Sequence, residues 1–168
     1  MSFEIERKFL VRSDAWRELV TGSANIRQAY LDKSANVSVR IRIKDNRSAT
    51  LTLKSRPSAL RRMEMEYAIP VLEAEALLPL RQGLVVEKVR YTVPYGELAW
   101  EVDVFSGENS GLVLAEIELP DEHHPIELPS WLGVEVTGQT QYYNGTLAHR
   151  PYRSWKRDGD VVALEQTA

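Results

Sequence analysis

Charge alternation constrains this chain more than any other feature. Val37-Ser38-Val39-Arg40-Ile41-Arg42-Ile43-Lys44 runs without a break, apolar at odd positions and polar or basic at even ones. A strand sends successive side chains to opposite faces, so Arg40, Arg42 and Lys44 share one face. The same device opens the chain. In Phe3-Glu4-Ile5-Glu6-Arg7-Lys8-Phe9 two carboxylates and an ammonium share a face, and Arg7 points the other way.

The pattern repeats along the sequence. Ala49–Lys54 groups Thr50, Thr52 and Lys54; Met63–Ile69 groups Glu64 and Glu66; Lys88–Val93 groups Lys88 and Arg90. Trp100–Phe105 groups Glu101 and Asp103, and Leu112–Leu119 groups Glu116 and Glu118. Ile26–Leu31, which carries Tyr30, completes a count of about eight strands. Asp32–Asn36, Asp45-Asn46, Tyr95-Gly96 and Gly107–Gly111 read as turns, and Asp121–Pro129 as a polar loop. Helices are few. Ser13–Leu19 has Ser13 as N-cap and Trp16, Leu19 and Val20 as an apolar face. Val71–Leu80 has Leu72, Ala76 and Leu80 at helical spacing, and Thr140–Ala148 forms a helical turn. Trp131–Thr137 is loop followed by a short strand.

The charges are segregated along the chain. Val37–Arg62 holds eight basic residues and one acidic one, and Glu97–Glu122 holds eight acidic residues and no Lys or Arg. The net charge of −3 argues against a nucleic-acid binder. No apolar run reaches membrane-span length, the N-terminus has no signal-like apolar core, and there are no cysteines. These features lead to the expectation of a cytoplasmic protein, with no disulfide, thiolate metal site or Cys nucleophile. His123, His124 and His149 fall in loops or near a turn, so any metal should be a hard cation on oxygen ligands. The 168 residues read as one domain over 1–156 and a poorly ordered tail over 157–168.

Two arrangements satisfy the alternation. The apolar faces can form a sandwich core with the charges in water. Alternatively the sheet closes, the charged faces line its lumen, and helices and loops cover the apolar outside. The second is costly, because a buried ion left unpaired loses several kcal/mol of hydration. It is tolerable where a polyanion meets the basic wall and a divalent cation meets the carboxylates. The large apolar residues on one face and the scarcity of Ser, Gln and Asn on the other favour this second arrangement.

In this order the motifs resemble the CYTH superfamily, the triphosphate tunnel metalloenzymes. They are Glu4-Ile5-Glu6-Arg7-Lys8, Arg40-Ile41-Arg42, Leu51-Thr52-Leu53-Lys54, Glu64-Met65-Glu66, Lys88-Val89-Arg90, Glu101-Val102-Asp103-Val104-Phe105 and Glu116-Ile117-Glu118. The resemblance runs from residue 4 to about residue 152 and looks like the short, single-domain bacterial branch. It implies a mainly β (α+β) fold, an eight-stranded antiparallel β-barrel tunnel with a few peripheral helices.

The resemblance also implies site roles. Lys8, Arg40, Arg42, Lys54, Lys88 and Arg90 would hold the triphosphate, Arg through planar forks and Lys as point charges. Glu4, Glu6, Glu116 and Glu118 would hold Mg²⁺ or Mn²⁺, with Glu64, Glu66 and Asp103 completing the site or holding a second ion. Lys8 would stabilise the transferring phosphoryl group, Glu116 would orient water, and Tyr30 is a further catalytic candidate. Arg56 and Arg62 share the even parity, but the turn between them leaves their direction open. Trp131, Tyr142 and Tyr143 are expected as core or tunnel cover. The expected activity is hydrolysis of inorganic triphosphate. The alternatives are a class IV-type adenylate cyclase, a thiamine triphosphatase or a non-catalytic polyphosphate or nucleotide-binding module. The expected partner is a small triphosphate, with neither nucleic acid nor membrane, and a homodimer is the assembly state to test.

Overall fold

The computed structural model describes residues 2–34, 36–56 and 61–157. The alternating segments are strands: β1 (Ser2–Val11), β2 (Gly22–Lys33), β3 (Val37–Lys44), β4 (Ser48–Ser55), β5 (Arg61–Ile69), β6 (Gln82–Tyr95), β7 (Leu98–Phe105) and β8 (Val113–Glu118). They pair antiparallel in the order β5-β4-β3-β2-β6-β7-β8-β1, and β1 pairs back onto β5, closing an eight-stranded barrel. A short β9 (Leu132–Glu135) adds to the C-terminal part of β1. Between β3 and β4, Asp45 and Asn46 take φ of 52° and 53°. A tight hairpin demands this left-handed conformation, and Asp and Asn tolerate it.

Closure sorts the two faces. Outward residues form two apolar clusters, each under a cover. Trp16, in a 3-10 helix over Ala15–Leu19, packs with Phe9, Val93, Trp100, Ile117 and Trp131. The rings meet edge to face, Phe9–Trp100 at 5.5 Å and Trp100–Trp131 at 5.8 Å. On the other flank α1 (Val71–Leu77) sets Ala74, and the 3-10 turn after it sets Leu78, over Ala29, Ile41, Ile43 and Ala49. No helix among the described residues is long and apolar enough to cross a membrane.

The third cluster closes one end of the barrel. By strand parity Leu10, Tyr30, Val86, Phe105 and Leu114 point inward. They pack with Val136, just past β9, and with Tyr142, Leu147, Tyr152 and Trp155 from the turn at Thr140–Tyr142, α2 (Asn144–Leu147) and α3 (Tyr152–Arg157). Gly83 makes the tightest join. Its φ is 71°, and an added Cβ would sit 2.4 Å from the Ala148 carbonyl oxygen. That oxygen accepts from the Leu84 N–H at 2.8 Å, so a side chain at position 83 would push the C-terminal segment off the barrel.

Several expectations need correction. The helix after Pro70 does not bury Leu72 and Leu80, which are 85% and 67% exposed. Its buried residues are Ala74 and, past its end, Leu78. A seven-residue helix with Pro79 in the following turn is too short for spacing to set its face. Ser13 caps no helix, since the 3-10 turn begins at Ala15 with Asp14 before it, and Leu19 is exposed. β2 is longer than Ile26–Leu31 and absorbs Asp32 and Lys33 from the expected turn. Of the expected tail, the residues after Arg157 lie outside the described residues.

Candidate active site inside the barrel

Strand register brings the two charge sets face to face. β1 pairs with β8 so that Lys8 lies opposite Glu116 and Glu6 opposite Glu118, and with β5 so that Glu4 lies opposite Arg62. β4 and β5 set Lys54 opposite Glu64, and β6 and β7 set Arg90 opposite Asp103. The lumen encloses a cavity of about 430 Å³. Of the expected site residues, Glu4, Glu6, Lys8, Tyr30, Arg40, Arg42, Lys54, Glu64, Arg90, Glu116 and Glu118 line it.

Three expected site residues stand elsewhere. Lys88 and Asp103 have no side-chain exposure and pair with each other. Lys88 also donates to Asn144 Oδ1 at 3.1 Å, and Asp103 takes both Nε (2.7 Å) and Nη2 (2.8 Å) of Arg90. The pair therefore supports Arg90 from behind and joins it to α2. Glu66, with 44% side-chain exposure, accepts from the Thr52 hydroxyl at 3.1 Å and lies 3.6 Å from Arg40.

Residues to which no site role was assigned complete the wall. Arg56 and Arg62 both line the cavity, and Arg62 Nε donates to Glu4 at 3.2 Å. Glu101, which shares a charged face with Asp103, lines the cavity and meets Arg90 at 2.6 Å. Thr140, Tyr143, Asn144 and Thr146 reach in from the C-terminal segment, and the Tyr143 ring lies 5.5 Å from Lys8 Nζ. Gln28 and Thr52 are fully buried hydrogen-bond partners of Arg42 and Arg40. Parity gave a signal for Arg62, Gln28 and Thr52, which sit on the charged faces of their strands. Tyr143 stands at the cavity as the expected tunnel cover and Tyr142 in the core, whereas nothing local marked Thr140, Asn144 and Thr146, which reach the site through tertiary packing.

The electrostatics divide the carboxylates into two groups. Burial raises the Glu4 pKa, but Lys54 at 2.7 Å and Arg62 outweigh it and bring the carboxyl down to about 2. Burial likewise opposes ionisation of Glu116, and Lys8 at 2.9 Å and Arg90 at 2.9 Å overcome it, holding the group well below the usual carboxylate range. Glu6 and Glu118 go the other way. Burial raises Glu6, and Glu116 adds to it; burial raises Glu118, and Glu4, Glu101 and Glu64 add to it. The one ion pair of Glu6 among the described residues is Arg62 at 3.7 Å.

Among the described residues no three Asp, Glu or His side chains are already gathered around a metal position. The donor set nevertheless fits a hard divalent cation. Glu6 and Glu118 are like charges directly opposite on paired strands, an unfavourable arrangement unless a cation lies between the strands' carboxylates. Glu4 and Glu116 lie on the same face one pleat away. Glu64, Glu66 and Asp103 are engaged by Lys54, Thr52 and the Lys88–Arg90 pair.

The basic wall is set for an anion. Arg40 Nε is buried without a hydrogen-bond partner among the described residues. Burial, with Arg40 and Arg90 as neighbours, lowers the Arg42 pKa to about 10, and its guanidinium has no carboxylate at ion-pair distance among the described residues. Burial also lowers Lys88; Asp103 opposes this, but Arg90 and Arg42 add to the burial effect, and its pKa falls to about 7. Arg42 without a carboxylate partner among the described residues on one wall, and Glu6 opposite Glu118 on another, are chemistry that suits a polyanion together with a cation.

Comparison with known proteins agrees. Residues 2–152 match the CYTH domain, and the chain belongs to that family. It is 45% identical over 157 residues to an inorganic triphosphatase of Acetivibrio thermocellus, covering 93% of this chain and 99% of that protein. It is 39% identical to an inorganic triphosphatase of Nitrosomonas europaea, covering 86% of this chain and 96% of that one. The crystal structure of an inorganic triphosphatase superposes with a TM-score of 0.63 at 35% identity, over 88% of this chain and 95% of the other. A Pyrococcus horikoshii protein shares the fold at a TM-score of 0.56 and 22% identity, over 71% of this chain and 79% of its own.

Proposed function

We propose that this protein is an inorganic triphosphatase that removes the terminal phosphate of triphosphate inside the barrel, leaving pyrophosphate. The carrying observation is the juxtaposition of Arg40, Arg42, Lys54 and Lys8 with Glu6 and Glu118 in one cavity closed at one end. Arg40 and Arg42 bind phosphate oxygens through their guanidinium forks, and Lys54 and Arg62 add charge from the neighbouring strands β4 and β5. Each such contact contributes roughly 4 kcal/mol of Coulomb energy before desolvation, at about 4 Å and an effective dielectric near 20.

Lys8 is the group for the terminal phosphoryl. Burial disfavours its charged form, but Glu116 and Glu6 outweigh burial and raise its pKa, so it stays an ammonium while charge builds on the transferring oxygens. Glu116 stays ionised and fixes Lys8. That makes it a weak base, better suited to accepting a hydrogen bond that orients the attacking water than to taking its proton. Tyr30 lines the same space. Glu6 and Glu118, with Glu4 and Glu116 beside them, would hold Mg²⁺ or Mn²⁺. Bound there, the ion would neutralise phosphate oxygens and the charge of the leaving pyrophosphate. The site lies within one catalytic unit of residues 1–156, and a chain without cysteines suits a reducing cytoplasm.

The test is a product screen with inorganic triphosphate, ATP and thiamine triphosphate, each with Mg²⁺, Mn²⁺ or chelator. Preferred turnover of inorganic triphosphate with either cation is expected. A preference for ATP with release of pyrophosphate and a cyclic nucleotide would replace this reading with the cyclase.

A further inference from the structure

We propose that Gln28 is a positioning residue that orients Arg42 while leaving its charge for the substrate. The inference rests on the triphosphate reading of the cavity.

Gln28 has no exposed surface and lies opposite Arg42 on the paired β2 and β3 strands, on the inward face of the barrel. A buried amide is tolerated where its polar atoms are bonded, and those of Gln28 are. Its Oε1 accepts from Arg42 Nε at 3.1 Å, and its Nε2 donates to the Tyr30 hydroxyl at 3.1 Å. These two bonds fix the amide: carbonyl toward the guanidinium, NH₂ toward the phenol. Holding Nε leaves both Nη groups for the cavity that Arg42 lines.

The choice of a neutral acceptor distinguishes Arg42 from its neighbours. Lys8, Lys54, Arg62 and Arg90 each have a carboxylate within 3.3 Å, and Arg40 has Glu66 at 3.6 Å. Arg42 has Gln28 in the corresponding place. A carboxylate at position 28 would orient the guanidinium equally well and would neutralise it. An amide orients it and leaves an uncompensated cation, for which a phosphate oxygen is the favourable partner. The lowered proton affinity of Arg42 agrees with that unbalanced surrounding. Through its NH₂ group Gln28 also sets the rotation of the Tyr30 hydroxyl, coupling the two side chains on the cavity wall.

The test compares Gln28→Glu with Gln28→Met by calorimetric titration with inorganic triphosphate in chelator, alongside melting temperatures. Gln28→Met loses the orienting bond, and affinity should fall about tenfold. Gln28→Glu keeps the geometry and removes the free charge. Its affinity should fall about 100-fold while its melting temperature matches or exceeds that of the wild type. A residue with a purely structural role would lose affinity in step with stability, so the split between the two readouts carries the proposal. Wild-type-like affinity in Gln28→Glu, or losses that track melting temperature in both variants, would overturn it. A wild-type protein that binds no triphosphate would overturn the functional reading instead.

Discussion

Lys8 and Glu116 are cross-strand partners on β1 and β8, and Lys8 Nζ lies 2.9 Å from Glu116 Oε1 with both side chains at most 10% exposed. Each holds the other charged against burial. Glu116 also accepts from Arg90 at 2.9 Å, so one carboxylate anchors two cations of the lumen. Glu116→Ala would leave both short of a partner. A loss of about 3–5 kcal/mol of stability is expected, together with loss of triphosphate turnover. Chemical denaturation and a phosphate-release assay measure the two. Stability within error of the wild type would show that the pair does not hold the barrel together.

Glu4 makes the fold acid-sensitive in a defined window. Its pKa is lowered from 4.5 to about 2, so its contribution is complete above pH 4.5 and is lost as pH falls toward 2. The shift corresponds to on the order of 3 kcal/mol. Glu4→Gln should therefore be less stable at pH 7, and the difference should shrink as the pH falls through that window. Denaturation curves at pH 7, 4 and 3 test this. A constant difference across them would contradict the assignment.

Glu6 and Glu118 face each other as like charges, and Glu118 has no ion pair among the described residues. Glu118→Gln should raise the melting temperature in chelator by roughly 1–4 °C. The same variant should lose the further rise that Mg²⁺ or Mn²⁺ gives the wild type, and should lose turnover. An intact cation-induced rise in Glu118→Gln would move the cation site elsewhere.

Arg42 is a half-buried cation without a carboxylate partner among the described residues, so it should matter to the ligand more than to the fold. In Arg42→Met the KM for triphosphate should rise roughly 10- to 100-fold. Its melting temperature should fall by only a few degrees, because replacing a half-buried charge by a hydrophobe of similar length offsets part of the cost of leaving Gln28 Oε1 without its donor. A large drop in melting temperature with unchanged KM would mark Arg42 as structural.

The parts of this molecule that were legible in the sequence are those with a period of two. The alternation of Glu4, Glu6 and Lys8 and of Arg40 and Arg42 announced both the strands and the shared faces, because a strand has no freedom in which side a residue takes. Closure of β1 onto β5 and the pairing of Lys8 with Glu116 were not legible, since register depends on contacts distant in sequence. The α1 face was misread at Leu72 and Leu80 because two turns of helix leave the choice to packing. Lys88, Asp103 and Glu66 were correctly placed on charged faces. Parity could not show that Asp103 and Lys88 would satisfy each other behind Arg90, or that Glu66 would stay at the rim. Thr140 and Asn144 carry no periodic signal and reach the cavity because Tyr142 and Leu147 pack into the barrel's apolar end.

The most direct measurement is a phosphorus-31 NMR time course of inorganic triphosphate with the wild-type protein and Mg²⁺ or Mn²⁺. The account predicts that triphosphate disappears while pyrophosphate and phosphate appear in equal amounts, and that chelator stops the reaction. Triphosphate that persists unchanged with both cations would contradict it.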